Sequence, residues 1–141
     1  ITIKGLRSLA KRLKRLPFLK SLNLDFSYCM RVSNGGLIIL CKSLKNLGNL
    51  KSIYLAFRGC YRIADQGLQH LGESLKRSTC LQKIHLDFSY CWGIGKTGLK
   101  KLVEDLKELT FLKDFLLSFY DSKQITQVEI NVEESLKKIS P

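Results

Sequence analysis

No stretch of this chain stays apolar for long. The longest run, Leu37 to Cys41, covers five residues, far short of the roughly 20 that a bilayer-spanning helix needs, so membrane insertion is not expected. Paired cysteines are missing as well. The five Cys are an odd number and none stands in a CxxC pair, which argues against a secreted disulfide framework and against a paired-thiol metal site. A reducing, intracellular and cytoplasmic setting is the expectation. The chain opens on Ile1 and not on Met, which leaves a removed leader or a trimmed terminus open.

Chemistry-bearing residues are equally sparse. The two histidines, His70 and His85, fall in different segments, and no Ser/His/Asp set or carboxylate pair recurs at a useful spacing. The glycines of "GIGKTG" at 93–98 place Lys between them, whereas a phosphate loop needs G-x-x-x-x-G-K-[ST]. No catalytic residues, cofactor, metal or small-molecule substrate are therefore expected. Acid is the last shortage: 12 Asp and Glu face 24 Lys and Arg, for a net charge of +12. Such a balance admits an acidic partner, RNA included.

What the chain does have is a period. "LDFSYC" stands at 24–29 and again at 86–91, and half that offset lands on "LAFRGC" at 55–60. A step of 31 residues then organises all 141, and such a step has to be found before any motif is weighed. Leu19, Leu50, Leu81 and Leu112 form one column, Leu22, Ile53, Ile84 and Phe115 another, and Phe26, Phe57, Phe88 and Phe119 a third. Cys29, Cys60 and Cys91 follow, then Gly5, Gly36, Gly67 and Gly98, each ahead of a Leu. The apolar positions 22, 24 and 26 keep the spacing of a strand. Positions 37, 40, 44 and 47 keep the spacing of a helical face. Each unit reads as strand, turn, helix and return, with Gly allowing a tight turn and Asn34 and Asp65 as N-caps. Stacked units place helices about 10 Å apart and strands about 4.8 Å apart, so the stack must curve with its strands inside.

The openings "LKSLNL", "LKSIYL", "LQKIHL" and "LKDFLL", and the run "CYRIADQGLQHL", resemble leucine-rich repeats of the ribonuclease-inhibitor-like, cysteine-containing kind. The resemblance covers essentially the whole chain. It departs in a repeat longer than most of that subclass and in a Cys about two residues late. It implies an α/β solenoid with parallel strands on a concave face and helices on a convex one. It also implies a non-enzymatic scaffold for protein–protein interaction. The alternatives are a structural subunit of a large complex, a ribonucleoprotein included, docked through the basic N-terminal helix; the substrate-receptor part of a ubiquitin ligase; and a GTPase-activating solenoid using Arg58 or Arg62. By register, residues 1–17 are the helix of a truncated repeat, and repeats occupy 18–48, 49–79, 80–110 and 111–141. The whole reads as one domain and a piece of a longer solenoid, its last helix being "VEINVEESLKKI".

Two surfaces stand out as partner sites. With Leu22 and Leu24 inward, their neighbours and the equivalents one repeat on face the concave side, Ala56 and Ser118 among them. From that strip the expected partner-binding set is Ser21, Asn23, Asp25, Tyr54, Lys83, His85, Asp87, Asp114 and Leu116. The column Asn23, Tyr54, His85, Leu116 varies freely between fixed core columns, and Tyr is a common interface anchor. The second surface is basic. Segment charge falls from +6 over 1–17 to −1 over 111–141, and Lys11, Arg12, Lys14 and Arg15 crowd the outer face of the first helix, where an acidic protein or RNA could dock. The Cys column is expected to be buried structural thiol, Cys41 to lie on a helix core face, and Cys80 to be the reactive one.

Overall fold

A computed structural model of the chain describes residues 1–120. The helix expected in "VEINVEESLKKI" lies outside the described residues. Four helices and four strands alternate: α1 (Ile3–Leu13), β1 (Ser21–Asp25), α2 (Asn34–Leu44), β2 (Ser52–Ala56), α3 (Asp65–Leu75), β3 (Lys83–Asp87), α4 (Lys96–Leu106) and β4 (Asp114–Ser118). The strands form one parallel sheet in the order β1-β2-β3-β4. Every pairing joins residues 31 apart, Leu22 with Ile53, Ile53 with Ile84 and Ile84 with Phe115. The helices pack in the same succession as a second layer. The chain is thus a small leucine-rich-repeat solenoid.

The core lies between the layers. Helix faces supply Leu37, Leu40, Cys41 and Leu44 in one unit and Leu68, Leu71 and Leu75 in the next, while the sheet supplies Ile53, Leu55, Ile84 and Leu86. Beyond each strand the Phe column stacks face to face. Ring centroids are 5.3, 5.4 and 5.9 Å apart along Phe26, Phe57, Phe88 and Phe119, with interplanar angles of 26°, 13° and 15°. The following column holds the thiols. Cys60 donates to the Phe26 and Cys29 carbonyls at 3.3 and 3.5 Å, and Cys91 donates to the Phe57 carbonyl at 3.2 Å. Each thiol therefore ties its loop to the backbone of the preceding repeat.

Three local expectations need correction. The glycine column does not make the turn: Gly36, Gly67 and Gly98 sit inside the first turn of their helices. They are there because helices meet closely. A Cβ on Gly36 would come 2.8 Å from Leu6 Cδ1, and one on Gly98 would come 2.7 Å from Asp65 Cα. Asn34 and Asp65 are not the caps of their own helices, whose N-cap residues are Ser33 and Ala64. Instead Asn34 Oδ1 accepts from the Ala64 and Gly67 amides at 2.8 and 3.1 Å, and Asp65 Oδ1 accepts from the Gly95 amide at 2.6 Å. One repeat thus supplies side-chain acceptors to the start of the next helix, where backbone donors lack a full set of partners; the Gly67 amide shares its bond with the Ala64 carbonyl at 2.9 Å. Finally, α1 ends at Leu13, with Lys14 as its C-cap, so only part of the basic cluster is helical.

Burial also sets the thiol chemistry. It pushes Cys60 up to about 11 and Cys91 and Cys41 up to about 12, against roughly 8.5 for a free thiol. A folded-state value above the unfolded one means that stability is fully present below the unfolded value and lost as pH rises toward the folded one. Urea midpoints are accordingly expected to hold up to about pH 8 and to fall steadily between about pH 9 and 12. A Cys41, Cys60, Cys91→Ser chain whose midpoint fell just as steeply over that range would show that these thiols are not responsible. Cys80, expected to be the reactive thiol, is exposed.

Candidate functional site

The strands position the expected strip by simple alternation. Ile53 and Ile84 point into the core, so Tyr54 and His85 emerge on the opposite face, directly paired across β2 and β3. Their rings meet edge-to-face, centroids 5.1 Å apart at 78°. Both are half-buried, so little side-chain freedom remains to be lost on binding. They line a pocket of about 310 Å³ together with Ser52, Lys83, Asp114 and Leu116, floored by Ile53 and Ile84. Leu116, 42% exposed, is an apolar wall opposite His85, and Lys83 and Asp114, paired across β3 and β4, carry opposite charges. The surface can therefore receive an apolar or aromatic side chain and orient polar groups beside it.

The rest of the strip divides. Ser21, Asn23 and Asp25 are exposed on β1, away from the pocket. Ala56, expected on the open strip, is buried at 1% exposure. It lies in register between Asp25 and Asp87, whose larger side chains stand on both sides of its methyl. These two carboxylates also close turns: Asp25 accepts from the Ser27 amide at 2.8 Å, and Asp87 from the Ser89 amide at 2.9 Å. The bonds from Ser27 hold the Asp25 carboxyl below the usual carboxylate range.

Lys11, Arg12, Lys14 and Arg15 are all exposed, and none has a carboxylate within ion-pair distance among the described residues. They sit at the C-terminal end of α1, where cations are favoured by the helix dipole, and none lines the strand-face pocket. His70 faces Glu73 at 3.8 Å on the surface of α3. In "GIGKTG" the Gly95 amide, which a phosphate would require, is already taken by the Asp65 carboxylate. Gly93 is there for contact, since a Cβ would fall 2.9 Å from the Ile63 carbonyl. Among the described residues no three His, Cys, Asp or Glu side chains converge to hold a metal ion. None of the described helices is long and apolar enough to cross a membrane.

The strand-end loops hold a cluster that the sequence reading did not find. The Arg58 guanidinium lies 5.1 Å from the centroid of the Tyr90 ring, and Tyr120 meets the same ring edge-on at 5.6 Å and 66°. Arg58 is thus packed in place. The signal available was its position one residue after the Phe column, with Tyr two residues after that column in the flanking repeats.

No family model matches the chain, and no curated protein matches it. Among solved structures 18 chains match. The chain is similar to leiomodin-1 actin-binding site 2 with a TM-score of 0.62 and 20% identity, over 84% of this chain and 65% of that one. It therefore spans 65% of the length of that structure, and at this identity the likeness shows the fold. The C-terminal domain of Caenorhabditis elegans tropomodulin matches with a TM-score of 0.46 and 13% identity, over 94% of this chain and 89% of that one.

Proposed function

We propose that this leucine-rich-repeat solenoid is a non-enzymatic scaffold that binds a protein partner on its strand face. The observation that carries the reading is the pocket of about 310 Å³ built around Tyr54 and His85. It offers a preformed aromatic anchor site flanked by one cation and one anion, the composition that concentrates binding energy in few residues. Backbone rigidity supports it, because each strand is hydrogen-bonded to its neighbours in unbroken register. The fold is shared with leiomodin-1 actin-binding site 2, which makes actin the first partner to test.

Titration of the purified chain with monomeric actin is expected to show saturable binding. Replacing Tyr54, His85 and Leu116 together by Ala is expected to weaken it by at least ~30-fold, as for the loss of one strong anchor. Unchanged affinity in that variant would remove the strand face from the interaction. Photo-crosslinkers at Tyr54 and at Arg12 locate the contact for any partner. Crosslinking from Arg12 alone would move the interface to the basic end of α1.

A further inference from the structure

The loops after the strands carry a feature that neither the core nor the strand face uses. Tyr28 and Tyr90 both have φ of 61°, and Gly59 occupies the same column at 72°. Glycine adopts this left-handed conformation freely, whereas a bulky aromatic residue is strained in it. The adjacent coil holds this conformation: the Tyr28, Gly59 and Tyr90 amides donate to the Arg58, Ser89 and Tyr120 carbonyls at 2.6, 2.8 and 2.8 Å. Tyr28 is 62% exposed, and Tyr90 is only half-buried. The two rings are thereby presented at fixed places on the rim and are not drawn into the core.

The surroundings have interface character. Tyr28 lies over Gly59, where an added Cβ would meet its ring at 2.8 Å, and Arg58 stacks on Tyr90. The next column out, Met30, Tyr61 and Trp92, is 56%, 43% and 57% exposed. Segments 26–33, 57–64 and 88–95 contain three arginines, Arg31, Arg58 and Arg62, and no Asp or Glu. The neighbouring carboxylates of Asp25 and Asp87 are turned onto the Ser27 and Ser89 amides. Exposed Trp, Tyr and Arg around a rigid ring cluster is the composition of binding hot spots.

We propose that this rim is a second docking surface, separate from the strand face, for an acidic segment of a protein partner that also carries apolar side chains. Carboxylates of the segment would pair with the exposed Arg31 and Arg62, and its apolar side chains would cover Met30, Tyr61 and Trp92. Charge complementarity selects an anionic partner, and the exposed apolar column Met30, Tyr61 and Trp92 favours a peptide that brings apolar side chains.

Trp92 is the single tryptophan of the chain, so its emission reports directly on the rim. The probe is a 12-residue peptide alternating Glu with Leu and Phe, compared with a 12-nucleotide oligouridylate at the same salt. The peptide is expected to shift Trp92 emission to the blue saturably. The Arg31→Glu, Arg62→Glu variant should bind it at least tenfold more weakly. So should Tyr28→Gly, Tyr90→Gly, which relieves the backbone strain. Tyr54→Ala on the strand face should leave peptide binding unchanged, so a failure of either surface is read separately. The proposal is overturned by an absent blue shift, by unchanged affinity in the arginine variant, or by tighter binding of oligouridylate than of peptide.

Discussion

Phe57→Ala is expected to lower the unfolding free energy by about 3–5 kcal/mol, the range for truncating a buried Phe. Phe57 has no exposed surface. Its ring is stacked on both faces, at 5.3 Å from Phe26 and 5.4 Å from Phe88. The cavity could not close by local collapse, because both flanking rings are anchored to strands that are in hydrogen-bonded register. Phe26→Ala should cost less, since Phe26 has a ring neighbour on one side only and 6% exposure. The pair should be non-additive because the two residues share a contact. Urea denaturation of the three variants measures this. A Phe57→Ala midpoint close to that of the parent chain would mean that the Phe stack contributes no core.

Gly98→Val is expected to destabilise by about 1–3 kcal/mol or more, as overpacking does. An added Cβ would lie 2.7 Å from the Asp65 Cα, and backbone cannot swing aside as a side-chain end can. Relief requires α4 to move off α3, which also breaks the bond from the Gly95 amide to Asp65. Gly48→Ala is the control: nothing lies within 4 Å of its added Cβ, its φ is not positive, and stability should stay the same or rise slightly through the unfolded chain. Equal thermal midpoints for Gly98→Val and the parent chain would refute the close-approach account of the glycine column.

Different parts of the molecule were legible to different degrees. The Phe column and the buried Cys60 and Cys91 could be placed because a residue buried in successive repeats must recur at every step; Cys29, on the first coil, is only half-buried. The strand strip followed from two-residue alternation, which puts Tyr54 and His85 opposite the core residues Ile53 and Ile84. Ala56 obeyed the same alternation and was still buried, because exposure also depends on the size of the residues in register beside it. Asn34 looked like a cap for its own helix, since a polar residue ahead of Gly-Gly-Leu is a local signature. Its actual partners, the Ala64 and Gly67 amides, are about one repeat away. Asp105 is a similar case. It is buried on α4 with Lys76 at 3.2 Å and Lys101 at 2.7 Å, in a column where the two preceding helices carry Ser43 and Ser74.

The period and the alternation of side chains within it settled, from sequence alone, that this chain is a stack of strand–helix units and which residues build its inside. Those properties depend on each residue and its own element, and so are written locally. Tertiary structure alone decided which neighbour each polar or glycine residue serves. Bonds and close approaches between repeats depend on where the adjacent coil's backbone lies, to within a few tenths of an ångström. The same holds for the left-handed Tyr28 and Tyr90 and for Arg58 upon Tyr90: their geometry is set by the coil beside them.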